Sequence, residues 1–411
     1  MPNLAQIEHN PPTYDDGIGL YVHVPFCQTK CPYCDFNTYA GIEDQISGYV
    51  KSLQDELSGW GNVLGHPPVR TIFLGGGTPS YLPTSDLTDI QRTIRRAFKV
   101  EESAEITMEC NPGDVTLDKA LSWRDSGVNR ISMGVQSFDD DLLGLLGRRH
   151  TADEAKQAFH TLREAGIVNQ SIDLIYGLPY QTAKQWTDTL EESIALEPEH
   201  ISLYSLQIEQ GTPLAVDVET GKYPIPDDDL AADMYEEAQS RLGENGFRQY
   251  EISNWSMPDM ESRHNIIYWR NEPYLGVGPG AHSWLANKRF ANLRSPRRYV
   301  SVVAKEYSTN GDDPVNAMTL PRGPVEQIDV TSPAIDVAET MMMGMRLNQG
   351  VSHERFEKRF GLNIEAVFPD EVERLTKLGL IEITDDALLL SERGRLLGNE
   401  VFAEFIGDPD E

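Results

Sequence analysis

Positive charge is scarce in this chain of 411 residues. Eleven lysines and 24 arginines stand against 65 acidic side chains, which leaves a formal charge of −30. Such a balance excludes duplex DNA or RNA as a general partner, because phosphate binding draws on basic surface. Long apolar runs are missing too, and no window nears the ~18 consecutive apolar residues of a membrane span. The N-terminus, MPNLAQIEHNPP, lacks the basic-then-apolar order of a secretory signal. Cysteine occurs only four times, too few and too unevenly placed for a disulfide framework. Secreted scaffold, integral membrane protein and nucleic-acid coat are poor readings, and a cytoplasmic location is the expectation.

What is present is ordinary for a folded globular protein, with 39% apolar and 24% charged residues. The length supports one large core and a smaller second one without a metal or disulfide staple. The acidity is spread along the chain, since residues 331–411 hold 17 acids and 8 bases, a net −9 that leaves −21 for the rest. A salt-tolerant host, in which dense carboxylates keep the surface soluble, and an ordinary acidic protein are both compatible with this pattern.

Short runs rich in β-branched and aromatic residues recur along the chain at 20–24, 71–74, 104–108, 130–135, 171–175 and 201–208, with 247–252 as a further candidate. Helical patterns lie between them at 44–60, 84–98, 115–126, 151–166, 182–195 and 228–244. Alternation of strands and helices predicts parallel βαβ units. Six such units suit an α/β fold of the partial (β/α)6 barrel type, with a doubly wound open sheet as the alternative. Residues 1–16 read as an N-terminal arm, 17–308 as the barrel domain with its extension, and 309–333, punctuated by Gly, Pro and Asp, as a linker. Residues 334–411 read as a small helical, winged-helix-like domain ending in a hairpin across Asp385 and Asp386.

Three of the four cysteines, Cys27, Cys31 and Cys34, fall in one C-x3-C-x2-C stretch after the first strand. Zinc wants four closed ligands, and His23 or Cys110 would have to complete the set. Three thiolates on a cubane iron–sulfur cluster instead leave one iron free for a small chelating molecule. In a parallel barrel the chemistry gathers where the strands exit. The second strand exits into Gly75, Gly76, Gly77 and Thr78, where the missing side chains let backbone groups approach a ligand. No Lys follows in the P-loop sense. Glu109 closes the third strand and Asp173 interrupts the fifth; each isolated carboxylate needs a cationic or hydroxyl partner. Gln136 places an amide at the rim of the fourth strand. Cys110 reads as a small buried hydrophobe.

The cysteine spacing, the apolar strand before it and the GGGTP segment together resemble the radical SAM superfamily. The resemblance implies a [4Fe-4S] cluster on Cys27, Cys31 and Cys34, with S-adenosylmethionine on the open iron and one-electron cleavage of a C–S bond. It further implies a cofactor site made of Tyr21, Tyr33, Gly76, Gly77, Thr78, Glu109, Gln136, Arg148, Asp173 and Ser205, with Arg149 as a rival to Arg148. Within the superfamily the chain resembles the oxygen-independent coproporphyrinogen III oxidase group. The oxidase pattern carries a fourth cysteine, C-x-C, where this chain has Phe36, and a longer arm than the 26 residues before Cys27. The element His264-Asn-Ile-Ile-Tyr268-Trp269 resembles the HemW haem-chaperone branch, in which this histidine is the proposed haem ligand. Neutral imidazole suits haem iron, and the aromatics offer flat surfaces; alternatively His264 and Asn265 organise a loop and the aromatics pack. His282 is a second histidine candidate. The resemblance implies haem and acceptor haemoproteins as partners, membrane contact only through protein partners, and leaves a homodimer open.

Overall fold

The computed structural model describes residues 7–309 and 323–406. Six strands run parallel in chain order: β1 (Ile18–Val24), β2 (Pro68–Gly76), β3 (Lys99–Cys110), β4 (Arg130–Gln136), β5 (Asn169–Tyr176) and β6 (His200–Ser205). Helices α1 (Ile46–Leu64), α2 (Thr84–Ala97), α3 (Leu117–Ser126), α4 (Asp140–Leu145), α5 (Ala152–Glu164) and α6 (Ala183–Ala195) connect them. Local chemistry sets where these helices begin. Thr151 and Thr182 each close a capping box with the residue three positions on, and Thr116 accepts from the Lys119 N–H.

The strands have two unlike faces. Val22, Ile72, Ile106, Ile131, Ile172 and Ile201 belong to the main apolar core and are at most 3% exposed. The alternate positions, Tyr21, Thr71, Thr107, Ser132, Ser171 and Ser202, are polar and turn to the inside of the curved sheet. This period of two sends the apolar half under the helices and leaves a polar interior.

After β6 come α7 (Pro213–Glu219), α8 (Asp228–Glu244), β7 (Arg248–Glu251) and β8 (Asn254–Ser256), and β8 pairs antiparallel with β6. Then α9 (Arg263–Trp269) leads into β9 (Tyr274–Val277), which lies parallel to the outer side of β1. Strands β10 (His282–Leu285) and β11 (Lys288–Asn292), helix α10 (Pro296–Thr309) and β12 (Val325–Val330) extend that side, the strands antiparallel. The sheet runs from β12 to β7 as twelve strands that do not close into a ring, a partial barrel, and the β7 edge is bridged by Leu347. The run expected over 201–208 ends at Ser205 as a strand, the further candidate at 247–252 is β7, and the other added strands were not legible because each is only three to six residues long. Of the stretch read as a linker, 310–322 lies outside the described residues and 325–330 is β12 of the sheet.

The C-terminal unit comprises α11 (Pro333–Gly344), β13 (Val351–Ser352), α12 (His353–Phe360), α13 (Ile364–Val367), α14 (Pro369–Lys377), the hairpin β14 (Ile381–Ile383) and β15 (Ala387–Leu390), then α15 (Glu392–Leu396) and α16 (Gly398–Ile406). It has its own core around Met341, Phe356, Phe360, Phe368, Leu388 and Phe405. Its attachment rests on a buried charge pair. Arg359 donates from Nε to Asp336 Oδ2 at 2.8 Å and from Nη2 to Asp336 Oδ1, and its Nη1 reaches the Asn271 carbonyl at 3.0 Å. Asn271, just before β9, donates to Asp336 Oδ1 at 3.0 Å. His9 lies 3.1 Å from Asp336 Oδ2, while Glu8 and Asn10 hydrogen-bond the backbone of α12, so the N-terminal arm crosses this unit. No helix among the described residues is long and apolar enough to cross a membrane. Removing one member of such a pair strands the other charge. The Asp336→Ala variant should lose about 3–5 kcal/mol of stability, read as a lowered denaturant midpoint. A midpoint within about 0.5 kcal/mol of wild type, the ordinary range for exposed sites, would show that the pair is dispensable.

Candidate cofactor site at the barrel mouth

Strand β1 leaves the sheet at Pro25 and Phe26, and Phe26 is buried, which anchors the start of the cysteine loop. The loop closes on itself: the Cys27 N–H donates to the Tyr39 carbonyl at 2.9 Å, and the Tyr39 N–H to the Pro25 carbonyl at 2.8 Å. Cys27, Cys31 and Cys34 all lie on this closed loop and remain partly exposed. Each sulfur faces a polar neighbour. Thr78 Oγ1 donates to Cys27 Sγ at 3.4 Å, Arg148 Nη1 to Cys31 Sγ at 3.5 Å, and Thr38 Oγ1 lies 3.9 Å from Cys34 Sγ. Burial pushes the Cys27 and Cys34 thiols up while these hydroxyls pull them down, a balance that a bound metal would tip to thiolate. Among the described residues no three His, Cys, Asp or Glu side chains gather around one ion position. Three cysteines on one loop can serve a cluster in which three irons each take one thiolate and the fourth stays open.

The exit of β2 is stitched to this loop. The Gly77 N–H donates to the Val24 carbonyl and the Thr78 N–H to the Phe26 carbonyl, both at 2.8 Å. Gly76 has φ +103, and a Cβ there would come within 2.3 Å of the His23 ring, so only glycine fits. Its N–H donates to Glu109 Oε2 at 2.8 Å. Burial pushes the Glu109 carboxyl up to about 8; the Gly76 N–H opposes the rise and the charge of Asp173 adds to it. Asp173 accepts from Ser132 at 2.6 Å and Ser171 at 2.8 Å, and burial raises its pKa also. Two carboxyl groups thus face one space with hydroxyl and amide partners, and among the described residues neither forms an ion pair, although the Arg130 charge acts on Asp173.

The remaining candidates take the following positions. Gln136 sits at φ +72, an uncommon conformation for a side chain of this kind. A Cβ on Gly134 would lie 2.8 Å from Gln136 Nε2 and 3.4 Å from Arg148 Nη2, so Gly134 makes room for both. Arg148 also donates to the Gly134 carbonyl at 2.6 Å and to Asn111 Oδ1. Arg149 turns instead to Asp114 and Gln28. Tyr33 packs on the cluster of Leu142, Leu146 and Leu178, and burial raises its phenol. The Tyr21 hydroxyl lies 2.9 Å from His23 Nδ1, and His23 Nε2 3.0 Å from the Asn37 carbonyl. Burial drops His23 to about 4, so its ring is neutral and structural. Ser205 closes β6 beside Tyr176. Cys110 is buried, with its thiol pushed up to about 12 by burial. Asn111 was not singled out by sequence, yet it joins Thr78 to Arg148; its signal was a polar residue directly after a strand exit.

The structure does not bring His264 to this mouth. It lies on α9, fully buried, against the first turn-ends of β2 and β3 at the opposite end of the barrel. Its Nδ1 is 2.7 Å from Thr71 Oγ1 and its Nε2 2.8 Å from the Tyr268 hydroxyl, so both ring nitrogens are occupied. Burial, with the charge of Arg130 second, lowers its pKa to about 3. Glu105 accepts from the backbone of Arg263 and His264, which pins the start of α9. Trp269 packs under the Arg346 guanidinium at 4.5 Å, and His282 is exposed.

A partial parallel barrel whose C-x3-C-x2-C loop is stitched to a glycine-rich strand exit defines a radical SAM protein. The sequence pattern of the radical SAM superfamily matches residues 21–192, and that of the HemN C-terminal domain matches 332–397. The chain belongs to the HemW family of that superfamily. It is 36% identical over 389 residues to the heme chaperone HemW of Bacillus subtilis, covering 94% of this chain and 99% of that protein. It is 33% identical over 412 residues to HemW of Mycobacterium tuberculosis H37Rv, covering 99% and 98%. The mitochondrial radical S-adenosyl methionine domain-containing protein 1 of mouse is 34% identical over 398 residues, covering 94% and 85%. Among solved structures, coproporphyrinogen III oxidase (HemN) from Escherichia coli shares the fold, with a TM-score of 0.80 at 23% identity over 95% of this chain and 90% of that one.

The Glu109 carboxyl carries a pH signature. A folded pKa of about 8 against an ordinary 4.5 means that the folded protein holds a proton the unfolded chain releases. Its contribution is therefore complete below pH 4.5 and disappears as pH rises through about 8. Without added cofactor, thermal melting of wild type should fall across that window, and Glu109→Gln should flatten this part of the profile. Parallel profiles for the two proteins would refute the assignment.

Proposed function

We propose that this protein binds haem and hands it to acceptor haemoproteins, with a [4Fe-4S] cluster and S-adenosylmethionine at the barrel mouth. One observation carries the reading: the near-complete correspondence with proteins named heme chaperone, at 36% identity over 94% of this chain. The residues fit the cofactor pair. Cys27, Cys31 and Cys34 supply three thiolates, each beside a hydroxyl or guanidinium group. Gly76, Gly77 and Thr78 present backbone where a side chain would collide, and Glu109 offers a carboxyl without a cation, suited to an amino group. Asp173, between two serines, suits ribose hydroxyls. Gln136 and Arg148 close the rim, with Tyr21, Tyr33 and Ser205 as the outer members. Bound there, the pair would supply one-electron cleavage of a carbon–sulfur bond. The chain's own part is to hold the thiolates, orient Arg148 through Asn111 and keep Glu109 out of bulk water.

Phe36 stands where the oxidase pattern has a fourth cysteine and is 67% exposed, which leaves the loop with three sulfur ligands. The net charge of −30 opposes adhesion to anionic lipid, so delivery at a membrane runs through a protein partner from a cytoplasmic pool. His264 is the histidine to test as the iron ligand, and ligation there requires Thr71 and Tyr268 to release the ring.

Three measurements check these assignments. Anaerobically reconstituted Cys31→Ala should lose bound iron and the brown chromophore; full iron retention would sink the cluster. Incubation with coproporphyrinogen III should yield no vinyl product over many turnovers, whereas sustained turnover would make the protein an oxidase. Haem titration should give a Soret change in wild type, and an identical spectrum in a folded His264→Ala protein would remove His264 as ligand.

A further inference from the structure

The inside of the barrel holds a chemistry that the mouth does not use. Arg130, the first residue of β4, is 2% exposed, and its guanidinium makes no hydrogen bond or ion pair among the described residues; its Nε is buried and unpartnered. Its register partner on β3, Thr107, is 0% exposed, and its Oγ1 is likewise without a partner. Arg130 lies on the same strand face as Ser132 and Gly134, the face turned inward.

The histidines and carboxylates near this floor are engaged, while Ser256 and Asn254 on the neighbouring strand also keep an unpartnered side-chain oxygen. His200 bonds Ser171 and Tyr250 at 2.8 Å each, His264 bonds Thr71 and Tyr268, and Glu105 caps α9. Asp173 is already taken by Ser132 and Ser171. The nearest counter-charge is Asp173, which feels the Arg130 charge but spends its hydrogen bonds on the serines, and a buried guanidinium without hydrogen-bond partners is a costly arrangement for a fold to keep. Beside an unpaired hydroxyl, it describes a seat for an anion with two acceptor oxygens.

The space above the floor is hollow. Tyr21, Phe73, Asp173 and Tyr268 face inward yet stay partly accessible, and Tyr204 is 46% exposed. One wall is aromatic: Tyr21 stacks on Phe73 at 6.2 Å, Phe73 on His264 at 5.3 Å, and His264 meets Tyr268 at 4.9 Å. The opposite wall is Ser132, Ser171 and Ser202. From Arg130 to Gln136 the strand rises about 20 Å, so a molecule seated on the floor and reaching the rim is long, and the wall it meets favours a flat one.

We propose that Arg130 and Thr107 form a carboxylate-binding floor inside the barrel, and that it takes a propionate arm of the porphyrin. The proposal rests on the haem reading above. The shared chemistry is a carboxylate, from a porphyrin or from a free acid, and the two sources can be told apart. The full-length, cluster-reconstituted protein is titrated with iron protoporphyrin IX and with its dimethyl ester, in wild type, Arg130→Met and Thr107→Val.

Wild type should bind the acid about tenfold or more tightly than the ester. Arg130→Met should bring that ratio close to one, and Thr107→Val should lower it part-way. The melting temperature of ligand-free Arg130→Met should not fall below that of wild type, because the change removes a buried charge that has no hydrogen-bond partner; a lower one would mark Arg130 as merely structural. An unchanged ratio in a folded Arg130→Met, or equal binding of acid and ester by wild type, overturns the proposal while haem binding stands. Where Arg130→Met does not fold, Thr107→Val carries the same test. Wild type that binds neither porphyrin overturns the haem reading instead. In that case sodium propionate raising the melting temperature of wild type, and not of Arg130→Met, supports the floor as a site for a free acid, and no effect of propionate overturns the floor too.

Discussion

Two backbone hydrogen bonds hold the mouth of this protein together: Gly77 N–H to the Val24 carbonyl and Thr78 N–H to the Phe26 carbonyl. They weld the exit of β2 to the loop that carries the cysteines, so the sulfur ligands and the glycine backbone are placed as one rigid unit. Nothing in the loop itself would do this, since Cys27, Cys31 and Cys34 are partly exposed and lie in irregular chain. Gly76 completes the weld, with no room for a side chain against His23. The site is precise because its parts sit at the ends of rigid strands.

The same strands explain the interior. A period of two forces every second residue inward, and in this chain most of those residues are hydroxyl, carboxyl, imidazole and guanidinium groups, with Phe73 among them. Most are mutually satisfied in short networks, such as Ser132–Asp173–Ser171–His200–Tyr250. An interior of this kind contributes less to stability than an apolar one, and the apolar layer between sheet and helices has to supply what it lacks. The sheet does not close between β7 and β12, and α9 packs against the floor through His264 on Thr71 and Glu105 on the start of the helix.

The C-terminal unit depends on electrostatics of another kind. Asp336 and Arg359 are both buried and satisfied only together with Asn271 and the N-terminal arm. That cluster ties three distant stretches of chain to the side of the barrel next to β9. The general acidity, by contrast, belongs to the solvent-facing surface, where most ion pairs are partly exposed and of small energetic worth.

Much of this was legible in order along the chain. The cysteine spacing, the glycine run after an apolar strand and the acids at strand ends are local patterns, and the six parallel strands follow from apolar periodicity; all of these survive reading one residue after another. What the tertiary structure alone decided lies in contacts between distant residues. His264 reads as an available ligand until Thr71, 193 residues away, is found on its ring. Arg130 reads as an ordinary charged residue opening a strand, and only the curvature of the sheet leaves it buried with no hydrogen-bond partner among the described residues. Composition and spacing determined what kinds of groups the chain owns; which of them face each other, and which face nothing, is set by how the strands curve and what packs beneath them.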